Sequence, residues 1–457
     1  MSPPKTGFEK ALEYPLFSTL LHRRTRRISK GLQRVPAKSL TYTSKEKPQP
    51  LTPLEEAMLI AATGITGITM HDMPFQTPEE KDITLTLYLH IPGRAASSPD
   101  NVQTTHFFMI NDAGTYFLRQ PDDVDPYFFR EGGMTPDKLV AWAEKCKVKV
   151  LDHRLEFNTR NYPVYIGTNR YLSNVPGSTI LVPVVDLSKY YINVLLYLIG
   201  QEPRGFRPTW IDDWHFYKSA GVRKWLKNGY LEPLNKLPPM ALGWLNTFRG
   251  HIEADLLIQN LLLTIQAMGL GGWIHASFAG PILLGSPETA SIYGKGLGFR
   301  HVTPKKTLCR LLRKLVTPLP AWLPNPVGLD GVLEGFTPPY YKDMNAAVDA
   351  LIELKEKRRD AVYNDPRYFN EIFKDDFGKM FRDEVPRDTP EAIAVTKDIC
   401  TYIWETYGRF PAHVDAMYVP GVWVQAHHTD LNYYDQLYQP SAISETQREH
   451  QKWWHGE

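Results

Sequence analysis

Apolar positions are densest between Asn260 and Gly285, which reads NLLLTIQAMGLGGWIHASFAGPILLG. Leu261, Leu262, Thr264, Ile265 and Met268 recur at mixed three- and four-residue spacing, the period of a helix buried on most sides. Glycine adopts the left-handed turn that closes helices, so the helix is predicted to end at Gly269 or Gly271. Glu253, Asp255, Gln259 and Gln266 sit in or beside the run, and such polar groups argue against a membrane span.

The pattern upstream predicts a short amphipathic helix over 7–21, broken at Pro15, and a proline-containing linker over 31–53. Thr52-Pro53-Leu54-Glu55-Glu56 has the signature of a helix start: a capping hydroxyl, a first-turn proline and early acids. That helix is predicted to stop at Gly64 or Gly67. Alternation over Asp82–His90 predicts a strand, followed by a small, turn-rich loop from Pro92 to Gln103. Thr105–Asn111 and Thr115–Arg119 flank Asp112-Ala113-Gly114 as a hairpin. A helix and then a strand are predicted over 135–152, and a strand over Ser178–Leu187. Lys189–Leu198 fits either a strand or a helix.

Residues 201–251 hold Trp210, Trp214, Trp225 and Trp244 among many Tyr, Pro and Arg residues. They read as an inserted helical lid, or as a cover over a hydrophobic face. His301–Val316 carries a basic amphipathic patch that fits a solvated helix face better than a lipid surface. Tyr341–Arg359 is predicted helical.

Length and composition narrow the class. A chain of 457 residues with 43% apolar and 22% charged residues is a folded globular protein of one large or two medium domains. A net charge of +2 gives no reason to expect nucleic acid as a partner. Three scattered cysteines, Cys146, Cys309 and Cys400, make neither a disulfide framework nor a zinc motif and suit a reducing compartment. The N-terminus lacks a basic region followed by a long apolar run, so a cytoplasmic location without a secretory leader is expected.

Two segments carry candidate chemistry. Arg23, Arg24, Arg26, Arg27 and Lys30 crowd one short stretch with Thr25 and Ser29 among them, a composition that can neutralise a phosphate through bidentate contacts. In the tail, Glu405, His413, Asp415, His427, His428 and Asp430 bring together residue types that bind metals. Their spacing matches no helical ligand pair. Adjacent His427 and His428 would leave a strand on opposite sides. A hydrogen-bonded cluster docking the tail onto the core is therefore expected, with no metal. No nucleophile elbow, phosphate-binding P-loop or dinucleotide GxGxxG appears in a fitting context.

Three motifs in order resemble the nitroreductase-like flavoprotein superfamily: Arg23-Arg24-Thr25-Arg26-Arg27, then Ser97-Ser98-Pro99-Asp100-Asn101-Val102-Gln103 leading into THFFMIND, then NLLLTIQAMGLGGW. LTPLEEAMLIAATGITG is similar to the helix that lies between the first two in that family. The resemblance implies an α+β fold: a mixed, mostly antiparallel sheet flanked by helices, assembled as a homodimer with FMN at the interface. In that arrangement residues 1–360 form the flavin domain, 201–251 a helical insertion, and 361–457 a C-terminal extension packed on the core. Arg23, Arg24, Thr25 and Arg27 would hold the FMN phosphate and ribityl chain. Ser97, Ser98 and Asn101 would line the flavin, with Gln103 in support. Gly280 and Gly285 are the candidates for the backbone donor to flavin N5. The implied activity is an FMN-dependent oxidoreductase carrying electrons from NAD(P)H to a small aromatic, quinone or nitro-type acceptor. The rival expectation is a catalytically silent flavin-binding or protein-interaction module of the same fold.

Overall fold

Pro15 divides the N-terminal helix as its missing N–H requires, giving α1 (Gly7–Glu13) and α2 (Leu16–His22). The computed structural model describes residues 5–63, 67–68, 92–93, 95–99, 102–119, 134–156, 167–200, 207–210, 221–237, 239–276, 280–304, 323–356, 373–384 and 387–456. The strand expected over Asp82–His90 and most of the basic patch in His301–Val316 lie outside the described residues.

Next in the chain come α3 (Pro53–Thr63), β1 (Thr105–Asn111), β2 (Gly114–Leu118), α4 (Pro136–Cys146), β3 (Lys147–Leu151), β4 (Thr179–Asp186) and α5 (Leu187–Gly200). The helical outcome at α5 has a local cause. The Asp186 carboxylate accepts from the Lys189 N–H at 3.0 Å and the Ser188 hydroxyl at 2.6 Å, so the strand ends in a cap. The chain continues with α6 (Pro239–Met268), β5 (Gly271–His275), α7 (Met344–Glu356), α8 (Pro390–Tyr407), β6 (Met417–Tyr418), β7 (Trp423–His427), α9 (Leu431–Leu437) and α10 (Glu445–His455).

One seven-stranded sheet runs β3-β2-β1-β4-β7-β5, with β6 also paired to β4. All its pairings are antiparallel. Sheet and helices together make an α+β fold. Alternation sorts the two faces. Phe107 and Met109 of β1 join Leu181, Val424 and the apolar side chains of α3, α4 and α6. Phe108 and Ile110 join Ile180, Val182 and Trp423 on the opposite face. A further core packs α5 against α7 and α8.

The central helix α6 has 30 residues and ends at Gly269, whose φ is +82°. A Cβ there would also stand 2.1 Å from the Thr446 carbonyl oxygen, so that turn both closes α6 and seats α10. The start of α6 corrects the expected insertion: residues 239–251 are its first turns rather than part of a separate lid. The remainder of 201–251 includes a helix over Arg223–Lys227 and a parallel pairing of Pro208–Trp210 with Glu232–Leu237. The division expected at residue 360 also gives way. β7, from the tail, lies between β4 and β5 inside the sheet, because its backbone supplies the ladder both neighbours need. Among the described residues no helix is long and apolar enough to cross a membrane.

Candidate functional site

The arginine run is held by its backbone at the C-terminal end of α6. Gln266 accepts from the Arg24 N–H at 2.9 Å through its side-chain oxygen. The amide of Gln447 donates to the Arg24 carbonyl at 3.0 Å. The Tyr434 hydroxyl accepts from the N–H groups of Arg27 and Ile28 at 3.3 and 3.4 Å. Gln266 donates in turn to Ser444 and Thr446, so α6, α10 and the run form one rigid corner.

With the backbone fixed, the side chains of the run differ in exposure. Arg23, Thr25 and Arg27 are exposed, and Arg24 and Arg26 are half-buried. Among the described residues none of the four arginines pairs with a carboxylate. Among the described residues the Arg24 and Arg26 guanidinium groups donate to the neighbouring Arg23 and Thr25 carbonyls, at 3.2 and 2.6 Å. Arg27 lies 4.8 Å over the Trp273 ring. Below it, His275 stacks on Trp423 with 3.7 Å between ring centroids. Burial and the Arg27 charge hold the His275 imidazole down to about 2, so the floor of this corner is neutral. The buried polar atoms of Ser29, Thr429 and His427 and the indole N–H of Trp273 have no hydrogen-bond partner among the described residues. A concentration of positive charge with polar capacity to spare fits an anionic, hydrogen-bonding group such as a phosphate.

The serine loop is anchored elsewhere on the same helix. Buried Glu253 accepts from the Thr105 N–H at 2.7 Å and from the Ser98 hydroxyl. The Ser98 oxygen accepts from the Gln103 N–H at 3.0 Å. Gln103 adopts a φ of +50°, which folds the loop back on itself. Ser97 is exposed, and Asn101 lies outside the described residues. Glu253 and Gln266 are 13 residues apart on α6, about 20 Å at ~1.5 Å per residue. The structure therefore brings Arg23, Arg24, Thr25 and Arg27 together, and Ser98 with Gln103, but it does not join the two groups within one chain. Replacing Glu253 with Ala is expected to lower stability by about 2–3 kcal/mol, since it strips a buried charged acceptor from two donors. Urea denaturation checks this.

The expected tail constellation is dispersed. Glu405 is exposed on α8. Asp415 binds Arg409 at 2.9 Å. His413 packs edge-on against Tyr407. Asp430 caps α9 and accepts from the Tyr42 and Ser44 hydroxyls at 2.9 and 2.5 Å. His427 points to Gly271, where a Cβ would meet its Nε2 at 2.6 Å; burial and neighbouring His428 hold its imidazole down to about 3. His428 leaves on the other side and meets Glu55, His450 and His455. Sequence reading overlooked His450 and His455, and took Glu55 only as a first-turn acid. The available signal was two histidines, His450 and His455, five residues apart in the last helix. Of the two glycines considered as flavin donors, Gly285 commits its N–H to the Ile282 carbonyl at 3.2 Å, and Gly280 opens a short helix over Gly280–Leu284.

No protein family matches the chain by sequence, and no curated protein matches it. Among solved structures, a candidate nitroreductase from Ralstonia eutropha JMP134 aligns with a TM-score of 0.27 and 15% identity, over 61% of this chain and 74% of that one. A likeness at that level settles neither fold family nor function.

Proposed function

We propose that the chain is an FMN-dependent oxidoreductase of the nitroreductase-like type, working as a homodimer. One observation carries this reading: four guanidinium groups that have no carboxylate partner among the described residues, clustered on a pinned backbone beside the neutral Trp273–His275–Trp423 stack. A ribityl phosphate is the group that such a cluster suits. Arg23, Arg24, Thr25 and Arg27 would hold that phosphate. Bound FMN would supply hydride transfer between NAD(P)H and a small acceptor. The chain's own part is to neutralise the phosphate and keep the ring oriented.

The separation of the two half-sites favours a dimer. Trp244, Phe248 and Leu256 form an exposed apolar stripe that runs from the first turns of α6 to just past its midpoint, and Leu16, Phe17, Leu20 and Leu21 of α2 form a second near its C-terminal end. Two α6 helices packed antiparallel about a two-fold axis would cover the stripe of one chain with the α2 patch of the other. The same packing would carry the arginine run of one chain toward the Ser98 loop of its partner. Phe248→Glu is expected to yield a folded monomer that no longer retains flavin, measured by light scattering and flavin content. A dimeric variant with full flavin would count against this arrangement.

Turnover is tested by adding NADH or NADPH anaerobically to the FMN-loaded protein. Bleaching of the flavin absorbance supports the oxidoreductase. A protein that binds FMN and is bleached by neither supports the silent flavin-binding module instead.

A further inference from the structure

Three imidazoles converge on one carboxylate oxygen where the C-terminal helix meets the start of α3. The Nε2 atoms of His450, His428 and His455 lie 3.0, 3.1 and 3.3 Å from Glu55 Oε1. The four ligand atoms all lie within 4.8 Å of one another. The other Glu55 oxygen is engaged, accepting from the Thr52 N–H and hydroxyl at 2.6 and 2.9 Å. That capping box turns Oε1 toward the histidines.

The outer hydrogen bonds fix what the histidines can do. His428 Nδ1 sits 2.8 Å from the Gln49 carbonyl oxygen, and His450 Nδ1 sits 2.8 Å from that of Met268. A carbonyl only accepts, so each Nδ1 carries a proton. In a neutral imidazole the Nε2 is then a bare lone pair, and here two such lone pairs would face a carboxylate oxygen. A second proton on each ring would relieve that, at the expense of several cations crowded into a pocket where Glu55, His428 and His450 are buried. A divalent cation relieves it with neutral rings. Backbone carbonyls behind metal-binding histidines are the usual outer arrangement. His450 Nε2 also has no aligned hydrogen-bond partner despite its 3.0 Å approach. Zinc–ligand bonds of ~2.0–2.1 Å at tetrahedral angles set neighbouring ligand atoms about 3.3 Å apart, close to the Nε2–Oε1 distances here.

We propose that Glu55, His428, His450 and His455 form a structural zinc-class site that fastens α10 and the end of β7 to the first turn of α3. Four protein ligands close the coordination shell, which suits a structural ion rather than a catalytic one. His455 is the ligand nearest solvent, with 14% of its side chain exposed, and gives the ion its way in. The proposal replaces the expectation of a metal-free tail and is independent of the flavin reading.

The test uses the full-length protein stripped with chelator and titrated with Zn2+ or Co2+. One equivalent per chain is expected, with a tetrahedral Co2+ absorption band and a thermal midpoint raised by Zn2+. His455→Gln, at the edge of the fold, and His450→Gln should each weaken metal binding more than about 100-fold, beyond what outer-shell changes give. Circular dichroism of His455→Gln separates ligand loss from misfolding. A wild-type chain that takes up no stoichiometric metal overturns the proposal in favour of a charged hydrogen-bonded cluster. A Co2+ band unchanged in both variants overturns it as well.

Discussion

Replacing Arg23 and Arg27 together with Ala is expected to leave the chain folded and unable to retain FMN. Both side chains are exposed, and neither has a carboxylate partner among the described residues. The backbone that positions them is held by Gln266, Gln447 and Tyr434, not by the guanidinium groups themselves. The thermal midpoint should therefore move little, as for surface substitutions generally. Flavin affinity should fall about 100- to 10,000-fold, the loss that two charge-assisted contacts to a phosphate imply. Fluorescence titration with FMN reads the affinity, and a thermal scan of the same sample reads the fold. Undiminished affinity would mean that the run is only a solvated basic turn.

Lys355→Met should give the largest loss of stability, about 3–5 kcal/mol, the range for orphaning one member of a buried ion pair. Lys355 Nζ donates to Asp388 at 3.0 Å, and the two side chains are 2% and 0% exposed. The pair ties α7 to the residue just before Thr389, whose hydroxyl caps α8 by accepting from the Ala392 N–H at 3.1 Å. The single variant leaves an anion in the core. The double variant Lys355→Met/Asp388→Leu removes both charges and should recover most of the loss. Urea midpoints of the two variants check this. Equal destabilisation by the single and the double would show that packing, and not the charge, holds this junction.

Local order was readable because its causes are local. The Pro15 break, the Thr52–Glu55 cap, the hairpin around Asp112-Ala113-Gly114 and the stop at Gly269 each depend on a few adjacent residues. Lys189–Leu198 is ambiguous because both faces are apolar; it is a helix through the Asp186 cap and the burial of most of its side chains. The 201–251 region misled because Pro239–His251 lacks the apolar density of the rest of α6. What could not be read was long-range. β7 enters the sheet between strands far earlier in the chain. Glu55 meets its histidines across 373 and 400 residues, so no spacing rule within the tail could reveal the cluster. The candidate flavin residues were legible as two separate chemistries, a basic run and a small-residue loop. Their separation along α6, one at its middle and the other at its C-terminal end, was not, since only the folded helix sets that distance.

The central claim is that the arginine corner holds FMN, and the most direct measurement is the absorbance spectrum of the purified protein followed by analysis of the supernatant after heat release. The account expects flavin bands and FMN released at close to one per chain. A colourless protein that stays colourless after incubation with FMN would contradict it.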